Sequence, residues 1–354
     1  MDTNLVRGHA SVATDSPDDR RQAGAALRRE VPRSRQGEWA PPAGRADPVG
    51  ILIEQGKSRI QELLPIRYGR MRADPLAFLC GAAAVMATDL ARTPATGIRM
   101  QACGDAHLAN FGSYATPEGS PVFDINDFDE TLPAPFEWDL KRLTTSLVVA
   151  GRVAQYSAKA VRGLALTAAR YYRQHMGELA KLSPVDAWNR RIDLARAIAD
   201  IDQPKVRDTV EKRLAQVLES GVQHFGLVEE KDGEVHIREK PPLVYHLSKH
   251  ALPARKAFAS CAATLQEDRR VLLHRHTLRD VAFKAVGVGS VGTFCAIGLL
   301  TAGDRSPLLL QIKEAQESVL APFAGASDYT NHGERVVVGQ RMMQAATDVF
   351  LGWT

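Results

Sequence analysis

Residues 101–112 read QACGDAHLANFG, and residues 122–143 read VFDINDFDETLPAPFEWDLKRL. The stretch GIRMQACGD from Gly97 reads as a short strand ending in a turn. Asp105 and Asn110 are five residues apart with His107 between them, so one turn can present a carboxylate and an amide to one ligand. LANFGSYATPEGSPVFDI reads as a hairpin that reverses at Pro117 to Ser120. Beyond it Asp124, Asn126, Asp127, Asp129 and Glu130 crowd into seven residues. Carboxylates so close repel one another. A divalent cation relieves the repulsion, because hard oxygen ligands suit Mg2+. The alternative is a structural or solvent-facing loop, but Val122, Phe123, Ile125 and Phe128 set the segment apart from a plain solvated one.

Outward from this centre the chain is helical on both sides. Upstream, Asp74 and Pro75 read as cap and first turn of a helix over PLAFLCGAAAVMATDLA. The basic string RYGRMR (67–72) precedes it, and residues 1–48 read as a flexible tail rich in Arg, Ala and Pro, with a short helix over 20–30. Downstream, helical patterning runs from Trp138 to about Gln174, then over 204–221 and 258–276. From Val281 the chain turns to strands: VAFKAVGVGSVGTFCAIGLL, then LLLQIKEA. One final helix is expected from Gly333 to Leu351.

Within the β-rich part, Gly287, Gly289, Ser290 and Gly292 form a GxGxxG string. Such a string alone is weak. A dinucleotide fingerprint must open a helix, whereas TFCAIGLL favours a strand. No Lys-Ser/Thr follows, which excludes an NTPase phosphate loop. Strand, glycine loop, strand is the arrangement that covers phosphates in kinases, an ordinary glycine-rich hairpin being the alternative. Lys313 ends the strand LLLQIK, twenty-one residues after Gly292, with Leu309, Gln311 and Lys313 alternating onto one face.

The chain has 354 residues with 45 Lys+Arg against 41 Asp+Glu, a net charge of +4, which accommodates an anionic ligand without marking a specific nucleic-acid binder. No apolar run is long enough to span a bilayer, and the first residues lack the apolar core of a secretory signal, so no membrane partner and a cytoplasmic location are expected. The four cysteines are scattered without a CxxC pair, which argues against a disulfide framework or zinc knuckle.

The strings RYGRMRADPLAFLCGAA, QACGDAHLANFG, VFDINDFDETLPAPFEWDLKRL, GVGSVGTFC and LLLQIKEAQESVL closely resemble a bacterial family known as domain of unknown function 2252, over nearly everything after residue 50. The motifs also resemble those of aminoglycoside-phosphotransferase-like and protein kinases. That resemblance implies an α+β, two-lobed, kinase-like fold using ATP and Mg2+. Asp105 and Asn110 match the catalytic-loop pair, and His107 stands where small-molecule kinases of this type also carry His. Asp127-Phe128-Asp129 looks like the metal-binding IDFD segment, with Asp124 as an alternative match, and Asp139 resembles the Asp that braces the catalytic loop. The resemblance makes Asn110, Asp124, Asp127 and Asp129 the metal set. It makes Gly287, Gly289, Ser290, Gly292 and Lys313 the phosphate-binding set, with Glu334 as partner of Lys313 and Glu314 and Glu317 as rivals.

The order differs from an ordinary kinase, because the catalytic-loop string precedes the glycine string by more than 170 positions. A circular permutation is therefore expected: tail over 1–48, helical lobe over 49–278, small β-rich lobe over 279–354. The family continues with a strand-like segment beyond this point. The resemblance thus implies a small lobe truncated at its C-terminus, with Lys313 facing Asp105 and Asp127 across a cleft. An open sheet edge at LLLQIK would then be loosened or masked by self-association. The expected activity is ATP-dependent phosphotransfer to an unknown acceptor. A non-catalytic nucleotide-binding pseudoenzyme or scaffold and a metal-dependent phosphohydrolase are the alternatives, the last lacking further histidine motifs around His175, His224, His236, His246 and His250.

Overall fold

Capping chemistry sets the helical starts of the N-terminal half. In this computed structural model, which describes residues 16–222, 226–231, 233–246, 248–285 and 287–354, Ser16 and Asp19 form a reciprocal capping box that opens α1 (Pro17–Glu30), none of whose residues is buried. Residues 1–15 of the expected tail, and His224, lie outside the described residues. Asp47 accepts the Gly50 N–H at 2.8 Å to open α2 (Pro48–Gly56). α3 (Leu64–Met71) follows, and Asp74 accepts the Leu76 and Ala77 N–H groups at the start of α4 (Pro75–Gly81). The expected single helix through PLAFLCGAAAVMATDLA is two: Ala82 leaves helical geometry at φ −117° and ψ 37°, and α5 (Ala83–Leu90) restarts. Fully buried Arg67 joins these pieces by donating to Gln55 Oε1 and to the Gly81 carbonyl, both at 2.9 Å.

β1 (Arg99–Ala102) pairs antiparallel with β4 (Leu132–Pro135), and between them β2 (Phe111–Ala115) and β3 (Pro121–Ile125) make the expected hairpin, extended by the two-residue β5 (Ile192–Asp193). α6 (Glu137–Val153) and α7 (Ala158–Leu179) fill the helical region expected from Trp138 to about Gln174, with a break between them. Gln155 takes φ +58° and Ser157 caps the restart. Short α8 (Pro184–Trp188) and α9 (Leu194–Ala199) lead to α10 (Pro204–Val222), close to its expected bounds.

Then come the hairpin β6 (Val228–Lys231) and β7 (Glu234–Ile237), β8 (Val244–Tyr245), α11 (Ser248–Cys261) and α12 (Glu267–Leu273). These two helices stand where one was expected over 258–276. β9 (Thr277–Lys284), β10 (Cys295–Thr301) and β11 (Pro307–Lys313) form an antiparallel sheet in the order β11-β10-β9-β8. The sheet has four strands rather than three, because β8 adds to β9, and β11 is an edge among the described residues. Short α13 (Ala321–Ala324) precedes α14 (His332–Met343), which ends eight residues before the expected Leu351. There the Gln344 side chain donates to the Ile125 carbonyl at 2.5 Å and the Ala345 N–H to Asp124 at 3.1 Å. These non-helical partners replace the next helical turn.

The content, 48% helix and 17% strand, makes the chain α+β. It divides into two compact units. The first comprises residues up to Gly112, Asp124–Arg190 and Gln316–Ala345; the second Ser113–Phe123, Arg191–Ala315 and Ala346–Thr354. The first has a core of Leu90, Ala102, Leu132, Trp138 and Leu320. In the second, alternation along β11 is realised. Leu309 packs with Ile297, Leu299 and Ile237 on one face, while Leu310 and Ile312 pack with Phe258 and Val281 on the other. Among the described residues no helix is long and apolar enough to cross a membrane.

Candidate active site

One face of α6 reads the loop after β1, residue by residue. Asp139, Arg142 and Ser146 fall at i, i+3 and i+7, a single helical stripe. Asp139 Oδ2 accepts the Cys103 N–H at 2.7 Å and Oδ1 the Gly104 N–H at 2.9 Å. Arg142 Nε donates to Asp105 Oδ1 at 2.6 Å, a second N–H of the same guanidinium joins that ion pair, and its Nη2 also donates to the Leu79 carbonyl at 2.8 Å. Ser146 Oγ accepts the Leu108 N–H at 2.9 Å. Within the loop, Asn110 Nδ2 donates to the Asp105 carbonyl at 2.7 Å, which leaves Asn110 Oδ1 for a cation or another donor. Gly104 is required: it has φ +83°, and a Cβ there would sit 2.5 Å from the Glu130 carbonyl oxygen. Asp105, His107, Asn110 and Asp139 are thus brought together in the first unit.

The electrostatics follow from burial. Burial lifts the Asp105 carboxyl to about 7, although Arg142 pulls it down; Glu130 and Asp127 add to the rise. Burial lowers His107 to about 4, with Arg142 acting in the same direction. Burial also raises Asp139, against the two N–H groups that favour its charge. His107 lies 3.7 Å from Cys80 Sγ on one side and 3.7 Å from Asp105 Oδ2 on the other. This is no activated thiol: burial raises the Cys80 pKa and holds the imidazole neutral, so no thiolate–imidazolium pair forms near neutral pH.

A stability test follows. The folded pKa of His107, about 4, is below its unfolded value of 6.5, so the unfolded chain binds more protons in that interval. The contribution of neutral His107 is present above pH 6.5 and is lost as pH falls toward 4. Asp105 and Glu130, both raised to about 7, act oppositely over much of the same window. Comparison with His107→Gln separates the effects. From pH 4 to 7 the wild-type advantage in unfolding free energy should grow by up to about 3 kcal/mol. A difference independent of pH would show that His107 titrates normally.

The acidic segment divides its carboxylates rather than converging them. Asp124 uses both oxygens on backbone N–H groups, of Ile125 at 2.8 Å and of Ala345 at 3.1 Å. Asp127 Oδ1 accepts the Asp129 N–H at 3.3 Å, and its carbonyl accepts from Cys103 Sγ at 3.2 Å, so Asp127 adjoins the Cys103–Asn110 loop. Among the described residues no group of three or more His, Cys, Asp or Glu is arranged to hold a metal. That leaves no histidine-rich metal cluster of the phosphohydrolase kind there. A Mg2+ held by Asp127 and Asn110 would need oxygens from a substrate, as Mg2+ commonly does. Glu130, which burial lifts to about 7 despite the Val319 N–H at 2.7 Å, is held by the main chain of a segment almost 190 residues away.

In the second unit, Gly287 to Gly292 lie in the connection between antiparallel β9 and β10 and open no helix. Ser290 N–H donates to the Gly287 carbonyl at 3.2 Å, and Gly292 takes φ +94°. Gly289 lies in the same turn. Lys313 ends β11, in register with Cys295. Glu314 Oε2 accepts the Phe294 N–H at 2.9 Å and closes the base of the glycine hairpin. Glu334 belongs to the first unit, in the opening turn of α14, where its N–H is capped by Asn331. Sequence reasoning missed Arg142, Ser146 and Arg335. The stripe from Asp139 could have revealed the first two.

A family model described as an uncharacterized protein conserved in bacteria, DUF2252, matches residues 59–354. The chain belongs to the DUF2252 family. The match includes the α6 stripe, the loop it holds, the acidic segment, the glycine hairpin and Lys313. No curated protein and no solved structure matches the chain.

Proposed function

We propose that this DUF2252 chain is an ATP- and Mg2+-dependent phosphotransferase built on a permuted kinase-like plan. The observation that carries the reading is the bracing of the Cys103–Asn110 loop. Asp139 takes two consecutive N–H groups at its base, and Asn110 closes it onto the Asp105 carbonyl. This preorganises the Asp105 carboxylate and the Asn110 amide oxygen on one loop, which Cys103 Sγ links to the Asp127 carbonyl. Further support comes from the glycine turn between antiparallel β9 and β10, with Lys313 at the end of the neighbouring strand β11.

In this reading Asp105 orients an acceptor hydroxyl and takes its proton. A carboxyl near 7 suits that task at neutral pH. Asn110 Oδ1 and Asp127 hold Mg2+, which when bound neutralises charge on the phosphates. The Gly287 to Gly292 backbone and Lys313 bind those phosphates. Asp139 touches no substrate and keeps the loop in place.

A second reading has its own observation: Arg142 occupies Asp105 Oδ1 with two N–H groups, which blunts the carboxylate as a base. It describes a nucleotide-binding protein without turnover. ADP formation from ATP, with water or the chain's own hydroxyls as acceptor, separates the two. The phosphotransferase reading expects Mg2+-dependent ADP formation that falls about 100-fold or more in Asp127→Asn. Equal rates in both chains would remove Asp127 from the site.

A further inference from the structure

Arg335 is 2% exposed, and its hydrogen bonds go to main-chain carbonyls. Nη1 donates to Thr131 O at 2.5 Å, and Nη2 to Asp129 O and Gln316 O, each at 2.8 Å. Its Nε is buried without a hydrogen-bond partner, and no carboxylate forms a direct ion pair with it among the described residues. A buried guanidinium with one N–H unpaired and no carboxylate in direct contact is costly to desolvate. It does fix the carbonyls it holds.

The same turn is captured at its middle residue. Ser318 Oγ donates to the Glu130 carbonyl, and the Val319 N–H donates to Glu130 Oε2, both at 2.7 Å. The carbonyls of Asp129, Glu130 and Thr131 are therefore all held by residues 318–335. Gly339, one turn beyond Arg335, makes the approach close enough: a Cβ there would lie 2.5 Å from the Thr131 Cγ2 atom. Asp127 is tied to this turn through the Asp129 N–H, so displacement of Asp129 is transmitted to the Asp127 carboxylate.

We propose that Arg335 is a positioning residue, a latch from α14 that fixes the Asp129–Thr131 turn and so sets where the Asp127 carboxylate meets Mg2+. The metal half rests on the phosphotransferase reading; the latch half does not. Supporting shells of this kind change metal affinity roughly 10–100-fold when removed.

The test compares the wild-type 354-residue chain with Arg335→Met and Arg335→Lys in two measurements. In the first, hydrogen exchange, amides of residues 128–131 should exchange about tenfold faster in Arg335→Met, while those of α7 stay unchanged. In the second, ADP formation, the Mg2+ concentration for half-maximal rate should rise roughly 10–100-fold, with the KM for ATP at saturating Mg2+ little changed. Arg335→Lys keeps the charge and one or two donors and should fall between in both. It also carries the comparison should the Met variant fail to fold. Unchanged exchange at residues 128–131, or equal acceleration throughout the first unit, overturns the latch. Faster exchange there with an unchanged Mg2+ requirement overturns the metal half. A wild type without Mg2+-dependent ADP formation refutes the phosphotransferase reading instead, and the exchange measurement then decides the latch by itself.

Discussion

Replacing Arg142 with methionine should lower the unfolding free energy by about 3–5 kcal/mol at pH 8, the cost of breaking a buried ion pair from one side. Arg142 is 2% exposed and gives up its bonds to Asp105 and to the Leu79 carbonyl. Methionine keeps much of the volume, so cavity formation contributes little. What remains is a buried Asp105 carboxylate without its cation. Asp105 already stands near 7 with Arg142 present, and Arg142 is a group that pulls it down. Its pKa therefore rises further in the variant, and below that value the carboxyl takes a proton and escapes the penalty. The loss should be distinctly smaller at pH 5 than at pH 8. The double variant Arg142→Met with Asp105→Asn should recover much of it, because no charge is then left buried. Denaturant unfolding of the three chains at both pH values measures this. A loss under about 1 kcal/mol for Arg142→Met at pH 8 would mean that the pair is solvated and worth no more than a surface ion pair.

Asp105→Asn should reduce ADP formation by about 10²- to 10⁴-fold, the usual contribution of a positioned general base. Affinity for the Mg2+ complex of ATP should change by no more than a few-fold. The proposed metal ligands are Asn110 and Asp127, and an asparagine at 105 leaves the main-chain carbonyl that holds Asn110 in place. That split between turnover and binding distinguishes loss of a base from collapse of the loop, which would abolish both. Full turnover in Asp105→Asn would remove Asp105 from chemistry and favour the reading in which Arg142 keeps it silent.

The local parts of the site were legible because their signals are local. Asp105, Asn110 and Asp139 lie within 35 residues, and the spacing from Asp139 to Ser146 is helical. The β2–β3 hairpin and the β9–β10 glycine turn carry their own turn residues. What the sequence hid is non-local or set by single residues. Arg335 and Val319 reach the acidic turn from about 190 to 205 positions away, and no periodicity encodes such a contact. The break at Ala82 occurs within apolar, helix-favouring sequence and depends on packing. The end of α14 at Met343 depends on partners in β3. The count of carboxylates in the acidic segment likewise carries no sign that Asp124 accepts the N–H of Ala345, a partner 221 residues away.

The most direct test of the phosphotransferase reading is calorimetric titration of a nonhydrolysable ATP analogue into the 354-residue chain, with and without Mg2+. The reading predicts binding that requires Mg2+ and weakens at least about tenfold in Asp127→Ala and, independently, in Lys313→Ala. Absence of binding by the folded wild type up to millimolar analogue, or binding indifferent to both substitutions, would contradict it.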